Sequence, residues 1–337
     1  MNKKIRRSGS ASRFAAGCGL LLILLVQGCA GSGPGPDAIT PAAVDDYPEG
    51  RLLVEPRWLE AVLDHDQVRV IDMRPADRYA EGHVPGAVNV PIGDISSTVN
   101  EVALEFDRAE VQDTLNSIAL EPSMTAVIYD NLGMMSSARM FWTLEYVGHA
   151  DVRVLNGGWN AWEQAGLPIS DSEPSLAAND YPIELQEMLV IDLEGVQSSL
   201  EDPQVGILDV RSPQEYRGEV RFSRRGGHIP GAVNLAWIET LAGGDAIYTV
   251  EDGWEAELRD ADVERFAPAE QIMALLDERG IEPDKEIITY CQTFWRGAHA
   301  YFMLRLMGYE NVRGYDGSWS EWGNLETVPV VSGPEPG

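Results

Sequence analysis

Short apolar runs alternate along the chain with stretches whose apolar residues recur at helical spacing. Residues 68–72, 126–130 and 152–155 have strand length, and 58–63 and 138–147 carry a helical period between them. Strands separated by helices predict βαβ units and a mostly parallel sheet covered on both faces, an α/β fold. Such sheets place their sites at the carboxyl ends of strands. A later apolar run, Ile287-Ile288-Thr289-Tyr290, ends there on Cys291. It leads through Gln292-Thr293-Phe294-Trp295-Arg296-Gly297 into another helical stretch.

The pattern occurs twice. Gly82-His83-Val84-Pro85-Gly86-Ala87-Val88-Asn89 returns as Gly227-His228-Ile229-Pro230-Gly231-Ala232-Val233-Asn234. Upstream, Val70-Ile71-Asp72-Met73-Arg74 matches Ile207-Leu208-Asp209-Val210-Arg211. Downstream, Asn156-Gly157-Gly158-Trp159-Asn160-Ala161-Trp162 matches Asp316-Gly317-Ser318-Trp319-Ser320-Glu321-Trp322. The blocks keep their order, and two long copies exclude a solenoid of short repeats. The body is therefore read as two tandem α/β domains, 51–170 and 188–330, with a linker at 171–187. The repeated Gly-x-Trp-x-x-Trp is read as packing, because positions i and i+3 share a helix face. The second copy is the longer one: 81 residues separate Asp209 from Tyr290, against 57 from Asp72 to Tyr129. Its surplus, within 217–266, holds Arg221, Arg224, Arg225 and an acidic stretch at 251–264, and is expected near the mouth of a site.

Residues 1–28 carry Lys3, Lys4, Arg6, Arg7 and Arg13, no acid, and then a short apolar core. This order predicts an export signal, too short to remain as a membrane-spanning helix. Val26-Gln27-Gly28-Cys29 resembles the bacterial lipoprotein signal, which implies a lipid on Cys29 and anchorage on the periplasmic side of the cell envelope. Secretion without lipid is the alternative. Residues 29–50, rich in Gly, Pro, Ala and Asp, read as a flexible tether.

Losing the five cations of the signal takes the formal charge from −29 to −34. So acidic a surface repels phosphate backbones and argues against nucleic acid as a partner. Of three cysteines, Cys18 leaves with the signal and Cys29 would carry lipid, so the folded body keeps Cys291 alone. Exported proteins use cysteines in pairs, and an unpaired thiol at a strand-to-helix junction points to chemistry. There the helix N-terminus and Arg296 both favour a thiolate. No cluster has metal-ligand spacing, and no Gly-rich phosphate loop or dinucleotide fingerprint occurs. No cofactor is expected, because the cysteine itself can carry the transferred group.

The paired Asp-x-Arg and Gly-His-(Val/Ile)-Pro-Gly-Ala-Val-Asn blocks and the terminal Tyr315-Asp316-Gly317-Ser318-Trp319-Ser320-Glu321-Trp322 resemble the tandem-domain rhodaneses. These are the thiosulfate and 3-mercaptopyruvate sulfurtransferases, and the likeness covers 52–330. It implies an inactive first domain, with Asp130 after Tyr129 in the place of Cys291 after Tyr290. It also implies that Arg139 reaches the substrate across the domain interface. A second arginine of the mercaptopyruvate branch has no counterpart, and Glu145 stands in its place.

A persulfide-forming cysteine attacks sulfane sulfur as thiolate and then holds a terminal S⁻, which the N–H groups of loop 291–297 can cradle. Four residues between Cys291 and Arg296 make a loop too small for a tetrahedral phosphate, which argues against dephosphorylation. Arg139 and Arg296 are expected to clamp a sulfonate-like anion such as thiosulfate. Thiol or cyanide is the expected acceptor and sulfite the product. The alternatives are 3-mercaptopyruvate as donor, or a non-catalytic anion- or sulfur-binding lipoprotein. Bland readings stand beside these: an ion pair to a nearby acid for Arg296, an interdomain pair for Arg139, packing for Phe294 and Trp295. Asp209 is expected to fix its turn and to orient Arg211 or Arg217. His83 and His228 are read as structural, since both copies keep them. A monomer is expected, because the two domains cover each other's faces.

Overall fold

The computed structural model describes residues 44, 46–95, 97–99, 103–242 and 265–337. The signal with Cys18 and Cys29, and the acidic stretch 251–264, lie outside the described residues. The first half runs β1 (Leu53–Val54), α1 (Pro56–Val62), β2 (Val68–Asp72), α2 (Ala76–Glu81) and β3 (Val88–Asn89). It continues with β4 (Ser97–Val99), β5 (Ala103–Glu105), α3 (Arg108–Ser117), β6 (Thr125–Tyr129), α4 (Met135–Tyr146), β7 (Val152–Leu155) and α5 (Gly158–Gln164). Its main sheet has the order β1-β7-β6-β2-β3, every pairing parallel.

The second half runs α6 (Leu193–Ser199), β8 (Val205–Asp209), α7 (Pro213–Arg217), β9 (Ala232–Asn234) and α8 (Ala269–Glu278). Then come β10 (Glu286–Tyr290), α9 (Trp295–Leu306), β11 (Val312–Gly314) and α10 (Ser318–Trp322). Its sheet, β11-β10-β8-β9, is again parallel throughout. Two parallel sheets flanked by helices are the tandem α/β domains that the repeat predicts. The strands read as apolar runs because both sheet faces are covered, and all five residues of β6 are buried.

Local chemistry sets the helix starts. Pro56 opens α1, where its missing N–H leaves no bond unmade. Asp107 caps α3 by accepting from Ala109 N and Glu110 N. Ser212 and Glu215 form a reciprocal capping box at α7.

One hydrophobic core runs through both halves. At its centre α4 packs along α9, with Phe141 and Phe302 at a ring-centroid distance of 4.7 Å. A smaller cluster lies behind each sheet, around Trp162 in the first half and Trp322 in the second. The end of the expected tether is docked rather than free: Tyr47 Oη donates to Ala267 O (2.9 Å) and Glu49 N to Leu306 O (2.9 Å).

A matching polar knot closes the carboxyl end of each sheet. Register puts Asp209 beside Tyr290 and Asp72 beside Tyr129. Arg211 Nη2 donates to Asp209 (2.6 Å), Tyr290 Oη donates to the same carboxylate (2.6 Å), and the guanidinium lies over Trp319 at 4.4 Å. Arg74, Asp72, Tyr129 and Trp159 repeat the arrangement. These charges are buried and fully partnered, so each knot fixes the strand ends from which the loops depart.

Candidate active site

Cys291 follows β10 directly. Its N–H donates to Ser318 Oγ (3.3 Å) and its carbonyl accepts from Trp319 N (3.0 Å), which ties the strand end to α10. The residue is only 1% exposed and is the free thiol among the described residues. It lies in a crevice of about 200 Å³ lined by Gln292, Thr293, Trp295, Arg296, Phe222 and Met135. Met135 comes from the first half, so the crevice lies where the halves meet. Phe222, 69% exposed, comes from the surplus segment of the second copy. Its neighbour Ser223 accepts from Gln292 Nε2 (3.0 Å), so this part of the surplus does border the loop.

The loop is anchored by Phe294, which takes a left-handed conformation (φ 67°) and is fully buried. Its ring meets Trp142 edge-on at 4.9 Å and lies against two glycines. A Cβ at Gly297 would stand 2.6 Å from Phe294 Cδ2, and one at Gly314 would stand 2.2 Å from Cζ. Both positions need glycine so that backbone can approach the ring. Phe294 therefore packs the loop onto the first half, while half-buried Trp295 forms crevice wall.

Arg296 also lines the crevice, but its charge is matched. Glu215 receives it in a two-pronged pair, Nη1 to Oε2 at 2.8 Å and Nη2 to Oε1 at 3.0 Å. Burial alone would favour the neutral acid, yet the guanidinium beside it holds the Glu215 carboxyl at about 2. Burial likewise opposes charge on Arg296, and Glu215 more than offsets it, raising the guanidinium above its usual range. The sequence reading did not single out Glu215. The available signal was Ser212-x-x-Glu215, a capping-box spacing that turns this carboxylate back over the helix start, where Oε2 also accepts from Ser212 N (3.0 Å).

Arg139 is placed differently from expectation. It is 0% exposed, donates to Asp316 Oδ1 (2.6 Å), and stacks on Trp142 and Phe294 at 4.7 and 5.3 Å. It is absent from the crevice wall, because the Asp316 carboxylate holds it in the seam between halves. The structure therefore does not pair it with Arg296 as a clamp. Glu145 also bridges the halves, accepting from Tyr301 Oη (2.7 Å) and Arg305 Nη2 (3.3 Å). Of the expected supporting residues, Asp209 and Arg211 form the knot that the thiol-free half duplicates. Arg217 pairs with Glu219 (3.1 Å) and is not part of the crevice lining.

Asp130 occupies the place of Cys291 in the first half. Its carboxylate accepts three backbone N–H bonds, from Leu132 (2.9 Å), Met134 (3.1 Å) and Ser137 (2.7 Å). Burial lifts its pKa above the ordinary range, and these donors work in the opposite direction. His83 and His228 stack on Tyr79 and Tyr216 at 3.8 and 3.6 Å, and each places Nδ1 against that tyrosine's carbonyl. His299 is buried against Trp237 and Phe266, and burial lowers its pKa to about 3. No group of three or more His, Cys, Asp or Glu among the described residues could hold a metal ion. No helix among them is long and apolar enough to cross a membrane.

The geometry offers one nucleophile at a strand end, in a crevice sized for a small anion. The rhodanese-like domain matches residues 55–165 and 192–325. A thiosulfate sulfurtransferase of Azotobacter vinelandii is 34% identical over 288 residues, covering 85% of this chain and 99% of its own length. The sulfur carrier protein TtuD of Thermus thermophilus is 31% identical over 304 residues, covering 86% and 99%. Among solved structures, EanB with a cysteine persulfide, in a tetrahedral intermediate state with ergothioneine, is 27% identical with a TM-score of 0.71. That match covers 85% of this chain and 72% of EanB.

Proposed function

This chain belongs to the rhodanese family and is a sulfurtransferase, and on that footing we propose a persulfide cycle on Cys291 with thiosulfate as donor. The Cys291 thiolate attacks the sulfane sulfur. The S–S bond of thiosulfate breaks, its electron pair leaves with sulfite, and Cys291 carries an outer S⁻. A thiolate or cyanide then attacks that outer sulfur and frees the Cys291 thiolate, so the cycle needs no outside oxidant or reductant.

The observation that carries this reading is Asp130. In the duplicate of the Cys291 position, the strand-to-helix loop turns three N–H groups onto one carboxyl group. Those donors favour negative charge at that point against the burial that opposes it, and a thiolate or persulfide on Cys291 would draw on the same kind of loop amides. The small crevice suits thiosulfate, and Arg296 is the cation on its wall. Arg139, held by Asp316, acts through the seam rather than by touching the donor. The thiosulfate sulfurtransferase named above supports the donor, and the persulfide in EanB supports the intermediate.

Intact-mass measurement after incubation with thiosulfate tests the proposal. The protein gains the mass of one sulfur atom and Cys291→Ser gains none; a gain in the variant, or none in either, refutes it. A strong steady-state preference for 3-mercaptopyruvate would overturn the donor. We further propose export and anchorage through a lipid on Cys29, supported by the pattern of residues 1–29. A mature N-terminus at Cys29 carrying acyl mass is the expected result, and an unmodified N-terminus elsewhere would overturn it.

A further inference from the structure

Duplication has left a second crevice beside the catalytic one. α4 and α9 have equal length and each follows a left-handed residue, Met134 (φ 62°) and Phe294 (φ 67°), so Met135 corresponds to Trp295 and Ser136 to Arg296. Arg74-Pro75-Ala76-Asp77-Arg78-Tyr79 likewise aligns with Arg211-Ser212-Pro213-Gln214-Glu215-Tyr216, which puts Arg78 where the second half has Glu215. The two crevices exchange walls: Met135 lines the one at Cys291, and Trp295 lines the one in the first half.

The first-half cavity is much the larger, about 620 Å³. That lies within the range of sites that enclose organic ligands, about 300–1,000 Å³. Asp130 lies at its base with both carboxylate oxygens bound to backbone amides, so the cavity has a filled anion nest and no nucleophile. Ile92, Leu132 and Trp295 give it an apolar side, and Arg78, Asn131 and Ser136 a polar one. Charge is inverted relative to the catalytic half. There the cation on the wall is matched by buried Glu215, whereas Arg78 is exposed and pairs only with exposed Glu81 at 3.1 Å. An exposed pair of this kind holds its members weakly, by about 1 kcal/mol or less.

We propose that this cavity binds an amphipathic organic anion, its apolar body against Ile92, Leu132 and Trp295 and its charge at Arg78, and that Trp295 relays occupancy to Cys291. Trp295 is wall to both crevices, and its indole Nε1 is buried without a hydrogen-bond partner. No polar contact of the indole pins the ring, so a ligand pressing on one face alters the room beside the thiol. The binding claim stands apart from the persulfide proposal, and the relay rests on Cys291 being the nucleophile.

The probe is 1-anilinonaphthalene-8-sulfonate, an aromatic body with one sulfonate, titrated into the full chain. Gly93→Trp fills the cavity, since a Cβ at Gly93 meets nothing within 4 Å, and Arg78→Glu reverses the charge. One probe binds per chain, at least about tenfold more weakly in each variant, and equally well in Cys291→Ser. Both variants keep sulfur transfer without probe, which certifies their fold. Probe also changes the rate of Cys291 alkylation by iodoacetamide at least about threefold, and fails to do so in Gly93→Trp. Binding untouched by both substitutions, or displaced by thiosulfate in Cys291→Ser, overturns the site. An alkylation rate indifferent to bound probe overturns the relay.

Discussion

Replacing Glu215 by Gln removes the charge that matches Arg296 while keeping the side chain's size. The native carboxyl is 4% exposed and titrates at about 2, against 4.5 for an ordinary glutamate. That difference corresponds to about 3 kcal/mol of stability above pH 4.5, in line with the cost of orphaning one member of a buried pair. For a body of this size it lowers Tm by about 5 °C. Because the folded pKa is depressed, the contribution is complete above the unfolded value and fades as pH falls through 4.5 toward 2. Urea unfolding of both proteins, followed by tryptophan fluorescence at pH 7 and pH 3, measures it. The gap between them at pH 3 is less than half the gap at pH 7. At pH 7 the freed guanidinium also lowers KM for thiosulfate with kcat little changed. A gap under about 0.5 kcal/mol at pH 7, or one independent of pH, refutes the assignment of that pair.

Three further outcomes are expected. Gly314→Ala drives a methyl into Phe294 and costs about 1–3 kcal/mol, with Gly297→Ala milder; calorimetry and single-turnover sulfur transfer report both. Asp316→Asn strands the buried Arg139 guanidinium and lowers urea stability by about 3–5 kcal/mol, while the mass gain on Cys291 persists at low temperature. His299→Leu flattens the acid limb of the stability curve. The native ring stays neutral down to about 3, so the wild type loses stability from about pH 6.5 downward as the unfolded chain takes up a proton; circular dichroism against pH separates the two proteins.

The alternation of strands and helices was readable because burial acts on neighbours in sequence. β2 and β7 fall on 68–72 and 152–155, where continuous burial leaves continuous apolar runs. α4 starts three residues before the 138 read from the pattern, since Met135-Ser136-Ser137 is buried for reasons a period cannot show: Asp130 accepts from Ser137 N, and Met135 reaches the other half's crevice. Pairing across long separations was not readable. Glu215 and Arg296 are 81 positions apart and Arg139 and Asp316 are 177 apart, so the partners that hold both expected clamp residues carry no local signal. Local propensity does not mark Tyr47 as docked, because its acceptor lies 220 positions away. The larger cavity was equally hidden, being made by four separate stretches of the first half and the other half's tryptophan.

The seam of α4 against α9 bears on why a thiol-free copy persists at all. Phe141, Trp142, Phe294 and Phe302 are sheltered there by the sibling copy. Cut within the linker at 171–187 and expressed apart, each piece would present that aromatic ridge to water and clump. Mixed while still unfolded, the pieces should recombine into one working particle. The thiol-free copy thus keeps the aromatic ridge of the Cys291-bearing copy dry, and the reverse holds as well.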